Sequence, residues 1–376
     1  MNVIITRARL LAACVFALAI TPAWSQSCLP FGPQSGNTIT QTFPAGGSAQ
    51  TAWRVTFGHA PAKGLYILGA WFQRAPNTNW IQVLYDARLS NIFVPYHPGS
   101  PRYYDLSGFN FDLVGVANVD LGPCGATADR YVIKEIRDRG MVWKDDYAGR
   151  RGHDLTLWAT LDAANYNYMM LYSFRDDGSI GFRLGATARN LPGMELVPHM
   201  HDGLWRLDID LNGFSGDTVQ IHRHSETAAS NVATDAMSAF NGGKEGFTDW
   251  DPLQFTELNV SDANMRNGQG RRVSYDLMVV REGTPRHLEN FSHHDFWATR
   301  YRFGEDHYTQ LATYISNNES VSNSDVVLWY ISPAHHMPRS EDGIYVNGFW
   351  RGVALAMWSG FDLRPRDLFD GTPLFP

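Results

Sequence analysis

The sequence predicts an all-β fold, a large antiparallel β-sandwich, on three observations. Aromatic residues make up 13% of the chain, and glycine and proline number 34 and 19, a composition suited to many strands joined by turns. Strand-length apolar runs recur from Trp53 onward, punctuated by turn residues. Long runs with the 3.6-residue period of a surface helix are scarce. At 376 residues and 44% hydrophobic, the chain can bury a sizeable core. Length alone allows two domains or one unusually large one. With no internal repeat and no linker, one large sandwich over residues 51–376 is the simplest arrangement.

The strands follow in order. Residues 53–57 (WRVTF), 64–72 (GLYILGAWF), 80–89 (WIQVLYDARL) and 91–96 (NIFVPY) mix β-branched and aromatic side chains. Residues 154–161 and 166–174 come next. The turn Asp176-Asp177-Gly178-Ser179 then leads into 180–188 (IGFRLGATA), which makes a hairpin. Later strands are expected at 204–213, 217–224, 271–280 and 325–332, with a loop or short helix over 226–246.

Residues 1–25 have the form of a secretory signal. Arg7 and Arg9 precede an apolar stretch from Leu10 to Ile20, too short to span a bilayer, and Ala23-Trp24-Ser25 supplies a cleavage site. The expected location is therefore secreted or periplasmic, and no later segment reads as transmembrane. Residues 26–50 are Gly/Ser/Thr/Gln-rich and are expected to be a loose leader. Cleavage would remove Cys14 and leave Cys28 and Cys124, for which an oxidising compartment favours a disulfide. The net charge of −7 offers nucleic acid little to bind and mildly favours cationic substrates.

The densest chemical signal is His199-Met200-His201. In a strand, residues two apart share a face, so both imidazoles converge. A third histidine is available in Ala334-His335-His336-Met337-Pro338-Arg339. Three imidazoles with open positions suit copper, or zinc acting on water. Asp208 and Asp210, also two apart, share a face in the same way. Asn259, Asn290 and Asn318 each begin an Asn-x-Ser sequon.

Three segments together resemble the catalytic domain of the copper amine oxidases, quinone-containing enzymes that oxidise primary amines. They are LDAANYNYMMLYSFRDDGSIGFRLGATA, HMHDGLWRLDIDLNG and DVVLWYISPAHHMPRSED. Weaker likenesses flank them in VLYDARLSNIFVPY, DFWATRY and FDLRPRDLFDGTPLF. The likeness runs in order from about Trp53 to the end, and covers that catalytic domain only.

The resemblance implies copper held by His199, His201 and His336, the last because it directly precedes Met-Pro-Arg. It implies that Tyr166 is the precursor of topaquinone, formed with copper and dioxygen, and that Asn165 is the residue preceding that cofactor. Asn167 stands where the family has Asp or Glu, and Asp162 where Thr is usual. Asp105 would be the catalytic base, with Asp112 the alternative in a segment whose register is open. Tyr103 would be the gate, and Tyr96 would hydrogen-bond the quinone oxygen. Asp208, Asp210 and Asp325 would hold a peripheral, calcium-like ion, with carbonyls of Ile209 and Val326 as further ligands. The implied partners are a small primary amine and dioxygen, with aldehyde, hydrogen peroxide and ammonia as products. A homodimer is the family's usual state, and no nucleic acid or membrane partner is expected. Two other readings use the same histidines: a zinc-type hydrolase or lyase, and a copper-binding protein without turnover.

Overall fold

A computed structural model describes residues 28–43, 50–75, 78–97, 99–223 and 236–372. The signal expected at 1–25 lies outside these residues. Sixteen strands matter here. They are β1 (Thr38–Phe43), β2 (Thr51–Ala60), β3 (Gly64–Gln73), β4 (Ile81–Pro95), β5 (Arg102–Tyr104), β6 (Ile133–Lys144), β7 (Gly149–Ala163) and β8 (Tyr166–Arg175), then β9 (Ile180–Ala188), β10 (His199–Ile209), β11 (Asp217–Arg223), β12 (Glu257–Arg266), β13 (Arg272–Val280), β14 (Phe296–Arg300), β15 (Val326–His336) and β16 (Ala354–Arg366).

They form the expected all-β sandwich. One sheet of 10 strands runs β1-β2-β3-β4-β10-β15-β14, with β5 paired to β4 and short strands at its edges. The second, of 12 strands, runs β11-β12-β13-β16-β9-β8-β7-β6 with its own short edge strands. Aromatic side chains fill the space between them. Trp53 of the first sheet packs on Phe174 of the second at 5.4 Å, and Trp205 on Phe182 and Phe361 at 5.8 and 5.5 Å. Such pairs add to the apolar burial that stabilises the sandwich.

The centre of the first sheet does not alternate. All eleven residues of β10 are buried, and so are all but one of β15. Both faces of these strands are covered. The inner face meets the second sheet, and the outer carries a separate apolar cluster including Leu204, Phe291, Tyr308, Leu311 and Trp329. A strand buried on both sides reads as a continuous apolar run.

One expectation is corrected. The stretch 26–50, read as a loose leader, carries strand β1, whose Ile39, Gln41 and Phe43 point inward and are at most 2% exposed. Its Thr-Ile-Thr-Gln-Thr-Phe sequence has strand periodicity hidden inside a polar composition. The residues just before it are tied down by the Cys28–Cys124 disulfide, as anticipated, closing a separation of 96 residues. Cys124→Ala should lower unfolding stability by about 2–5 kcal/mol, read as a lower denaturation midpoint; an unchanged midpoint would remove that structural role. The described part of 226–246 holds a strand at Ala236–Ala239, a 3-10 turn at Phe240–Gly243 and the start of a strand at Gly246. Of the sequons, Asn259 is fully buried and donates to Asp276, so it offers no acceptor in the folded chain. Among the described residues no helix is long and apolar enough to cross a membrane.

Candidate metal centre

Register assembles the site. β10 and β15 run antiparallel with His199 opposite His336, although the two are far apart in sequence. His201 lies two residues along β10 on the same face. The end of β4 adds Tyr96 through a bridge to His199, and the two rings stack at 4.3 Å. Across the core, β8 points Tyr166 and Tyr168 at the same spot. Tyr166 lies 2.8 Å from His199 Nε2, and Tyr168 lies 3.0 Å from His201 Nδ1.

One nitrogen from each of the three histidines lies within 4.8 Å of the others. The remaining nitrogens are occupied, which fixes the tautomers. His199 Nδ1–H donates to the Val197 carbonyl at 2.8 Å. His201 Nδ1–H donates to the Tyr168 oxygen. His336 Nε2–H donates to Asp342 Oδ2 at 2.9 Å. The lone pairs left over are His199 Nε2, His201 Nε2 and His336 Nδ1. His201 Nε2 is buried without a hydrogen-bond partner, and His336 Nδ1 faces His199 Nε2 at 3.2 Å. Two lone pairs so close repel unless a cation lies between them. Burial lowers the pKa of all three histidines, His199 to about 3, so they stand neutral as ligands must. The donor set therefore fits copper or another borderline divalent ion. His335, the neighbour set aside on sequence grounds, points to the opposite face.

Beside the histidines lies a cavity of about 380 Å³. Tyr166, Tyr96, Asp105 and Asn165 line it together with Tyr103, Phe109, Phe111 and Leu191. The Tyr96 hydroxyl hydrogen-bonds that of Tyr166, and burial pushes the pKa of Tyr96 up to about 12 and that of Tyr166 up further. Tyr103 is half-buried, with its ring 6.4 Å from Tyr96 and 6.0 Å from Phe109. Asp105 is 7% exposed and accepts from the Tyr168 hydroxyl at 2.6 Å. Burial raises its pKa to about 6, against the opposing pull of that hydrogen bond. Asp112, the alternative base, is exposed and accepts from the Leu113 amide instead.

The two departures from the family pattern lie away from the cavity. Asp162 is exposed and accepts the Ala164 amide at 3.0 Å, closing the β7–β8 turn, where Ala164 has φ 62°. Asn167 is opposite Asp162 in the β7–β8 ladder, so its side chain lies on the face opposite Tyr166. Two residues that the motifs left unassigned prove central. Tyr168 joins Asp105 to His201, and its position two after Tyr166 on a strand was the available signal. Asp342 orients His336 and sits in the quoted Arg-x-Glu-Asp turn.

At the other end of β10, Asp208, Asp210 and Asp325 bring carboxylate oxygens within 4.8 Å of one another. Burial raises the pKa of Asp208 to about 8 and of Asp210 to about 7, with neighbouring carboxylates adding to it. Arg206 offsets part of this, lying 3.4 Å from Asp208 and 3.1 Å from Asp86.

Comparisons with known proteins bear on the family and the fold. The family described as "Copper amine oxidase, enzyme domain" matches residues 192–375. Primary amine oxidase 2 of Arabidopsis thaliana is 23% identical over 92% of this chain and 62% of its own length. Histamine oxidase of Arthrobacter globiformis is 24% identical over 77% of this chain and 51% of its own. The chain thus spans between half and two thirds of these relatives. Among solved structures, a copper-containing benzylamine oxidase from Hansenula polymorpha superposes with TM-score 0.65 at 18% identity, covering 93% of this chain and 64% of that one. An Aspergillus nidulans amine oxidase gives TM-score 0.65 at 16% identity, covering 98% and 56%. These superpositions show a shared fold.

Proposed function

We propose, from the match of residues 192–375 to the enzyme domain of the copper amine oxidase family, that the chain is a copper- and quinone-dependent oxidase of primary amines. One observation carries the reading: the Tyr166 hydroxyl sits 2.8 Å from a free ligand nitrogen of the three-histidine cluster and faces a cavity that also holds Asp105.

His199 Nε2, His201 Nε2 and His336 Nδ1 would hold copper. With dioxygen, bound copper supplies the oxidation that turns the Tyr166 ring into topaquinone and restores it after each turnover. The chain's own groups do the rest. Phe109, Phe111, Leu191 and Val94 wall the cavity in apolar surface and exclude water from the amine. The ionised Asp105 carboxylate takes the proton from the carbon bearing the amine nitrogen. Tyr96 holds the Tyr166 oxygen in place, while Asn165, next to Tyr166 in the chain, and Tyr103 line the cavity beside it. Products are an aldehyde, ammonia and hydrogen peroxide. The proposal extends to a secreted or periplasmic location through the signal at 1–25, and to the homodimer usual in the family.

The test is direct. Metal-free protein loaded with copper under air should release peroxide when given simple primary amines such as benzylamine or a short diamine. Full copper occupancy with no peroxide from a broad amine panel would reject the oxidase reading.

The carboxylate cluster would take calcium at Asp208, Asp210 and Asp325. Because folding raises two of these pKa values, cation-free protein binds more protons folded than unfolded between about pH 4 and 8. Its stability should be greatest below pH 4 from these groups, and fall as pH rises through 7 to 8. Calcium should reverse that loss, by about 2.7 kcal/mol at a hundredfold excess over Kd. Thermal melts at pH 5 and pH 8, with calcium or with chelator, check it; a calcium effect equal at both pH values would contradict it.

A further inference from the structure

We propose that His97, His335 and Met200 form a second metal site, selective for Cu(I), on the back of the strands that carry the three-histidine cluster. Strand alternation places it there. His199, His201 and His336 point into the sandwich, so Met200 and His335 point out through the other face. These two are directly opposite each other in the β10–β15 ladder, which puts their Cβ atoms about 5 Å apart. Tyr96 bridges to His199 on the inner side, so the next residue, His97, joins the outer side; its amide donates to the Pro198 carbonyl at 3.0 Å.

The ring spacing resembles that within the three-histidine cluster. The His97 and His335 rings lie 5.3 Å apart at 76°. In the three-histidine cluster the corresponding separations are 4.7, 4.8 and 6.2 Å, two of them at 71° and 72°. The terminal methyl of Met200 and the Cβ of His335 flank one point over Gly283, at 3.6 and 4.0 Å from where a Cβ would sit. Met200 and His335 thus approach the same glycine from neighbouring strands.

His335 Nε2 is buried without a hydrogen-bond partner. Nearby, His287 hydrogen-bonds Asp202 Oδ2 at 2.8 Å, leaving Asp202 Oδ1 buried without a partner, and Arg102 pairs with Glu289. A soft thioether beside two borderline imidazoles makes a neutral donor set, which favours Cu(I) over hard ions. His97 is exposed and opens the site to solvent. Met200 lies between two of the inner ligands and His335 next to the third, so the two sites lie back to back across one sheet.

Silver(I), a redox-inert mimic of Cu(I), tests this on the copper-loaded protein by calorimetry with metal analysis. The described residues contain no free thiol to compete, because Cys28 and Cys124 are bonded. One silver ion per chain is expected, with the inner copper retained. His97→Ala, His335→Ala and Met200→Leu should each weaken binding by at least about tenfold, the loss that even an outer-shell partner can bring. His97→Ala is the safest of the three for folding because the residue is exposed, and inner copper content reports the fold in each variant. Absent silver binding, or binding that all three variants leave unchanged, overturns the proposal. The result is independent of amine oxidation: no silver binding by the wild-type protein with peroxide release intact sinks this site alone, and wild-type silver binding without peroxide release sinks the oxidase reading alone.

Discussion

Tyr166→Phe should abolish amine turnover and leave copper binding near one ion per chain. The variant removes a single oxygen. The three ligand nitrogens keep their orienting partners, Val197, Tyr168 and Asp342, so affinity should hold. What is lost is the ring oxygen that starts cofactor formation, and no other phenol substitutes for it. Tyr168 lies close by but spends its hydroxyl between Asp105 and His201. Tyr96 stacks on His199 rather than presenting its hydroxyl to the ligand nitrogens. The fold should lose about 1–3 kcal/mol from the two hydrogen bonds the hydroxyl makes, to His199 Nε2 and to Tyr96. Copper titration and a peroxide assay check both halves. Turnover that survives would remove Tyr166 from its assigned role; copper loss would mean the phenol is itself needed as a ligand.

Asp105→Asn should reduce kcat/KM by about 10²–10⁴, the usual contribution of a positioned base, while the quinone still forms. The amide oxygen can accept from Tyr168 as the carboxylate does, so geometry should survive and basicity should not. Burial has pushed the pKa of Asp105 up to about 6. Below that pH the carboxyl is protonated and cannot accept a proton. The wild-type kcat/KM should therefore fall on the acid side with an apparent pKa near 6, and the limb should vanish in the variant. A pH–rate profile of both proteins decides it. An acid limb retained in Asp105→Asn would assign the base elsewhere; Asp112, exposed and tied to its own backbone, is a poor replacement.

Much of this site was legible from residue spacing. His-x-His on a strand fixes a shared face, and Tyr166 with Tyr168 does the same across the core. The partner histidine was legible only through its neighbours, because nothing local to His336 says which strand it will pair with; ladder register decides that. Strand β1 was missed because threonine and glutamine mask its inward Ile39 and Phe43. The continuous burial of β10 and β15 follows from an apolar layer on the outer face, contributed largely by residues 291–315 far along the chain. Asp162 and Asn167 looked like disturbances of the active centre. Only the alternation of β7 and β8, and the turn that Asp162 closes, show that they point away from it. Tyr168 and Asp342 make their contributions through hydrogen bonds to ligands, and such partners emerge only once the ligands have positions.

The central claim is that a phenol and three imidazoles, brought together from separate strands, form one oxidising unit. Peptide mass measurement addresses it most directly. Metal-free protein should be loaded with copper in air and, in parallel, without dioxygen, then digested and mapped. The account predicts that the peptide holding Tyr166 gains oxygen in air alone, with Tyr96, Tyr103 and Tyr168 unchanged. An unmodified Tyr166 at full copper occupancy in air would contradict it.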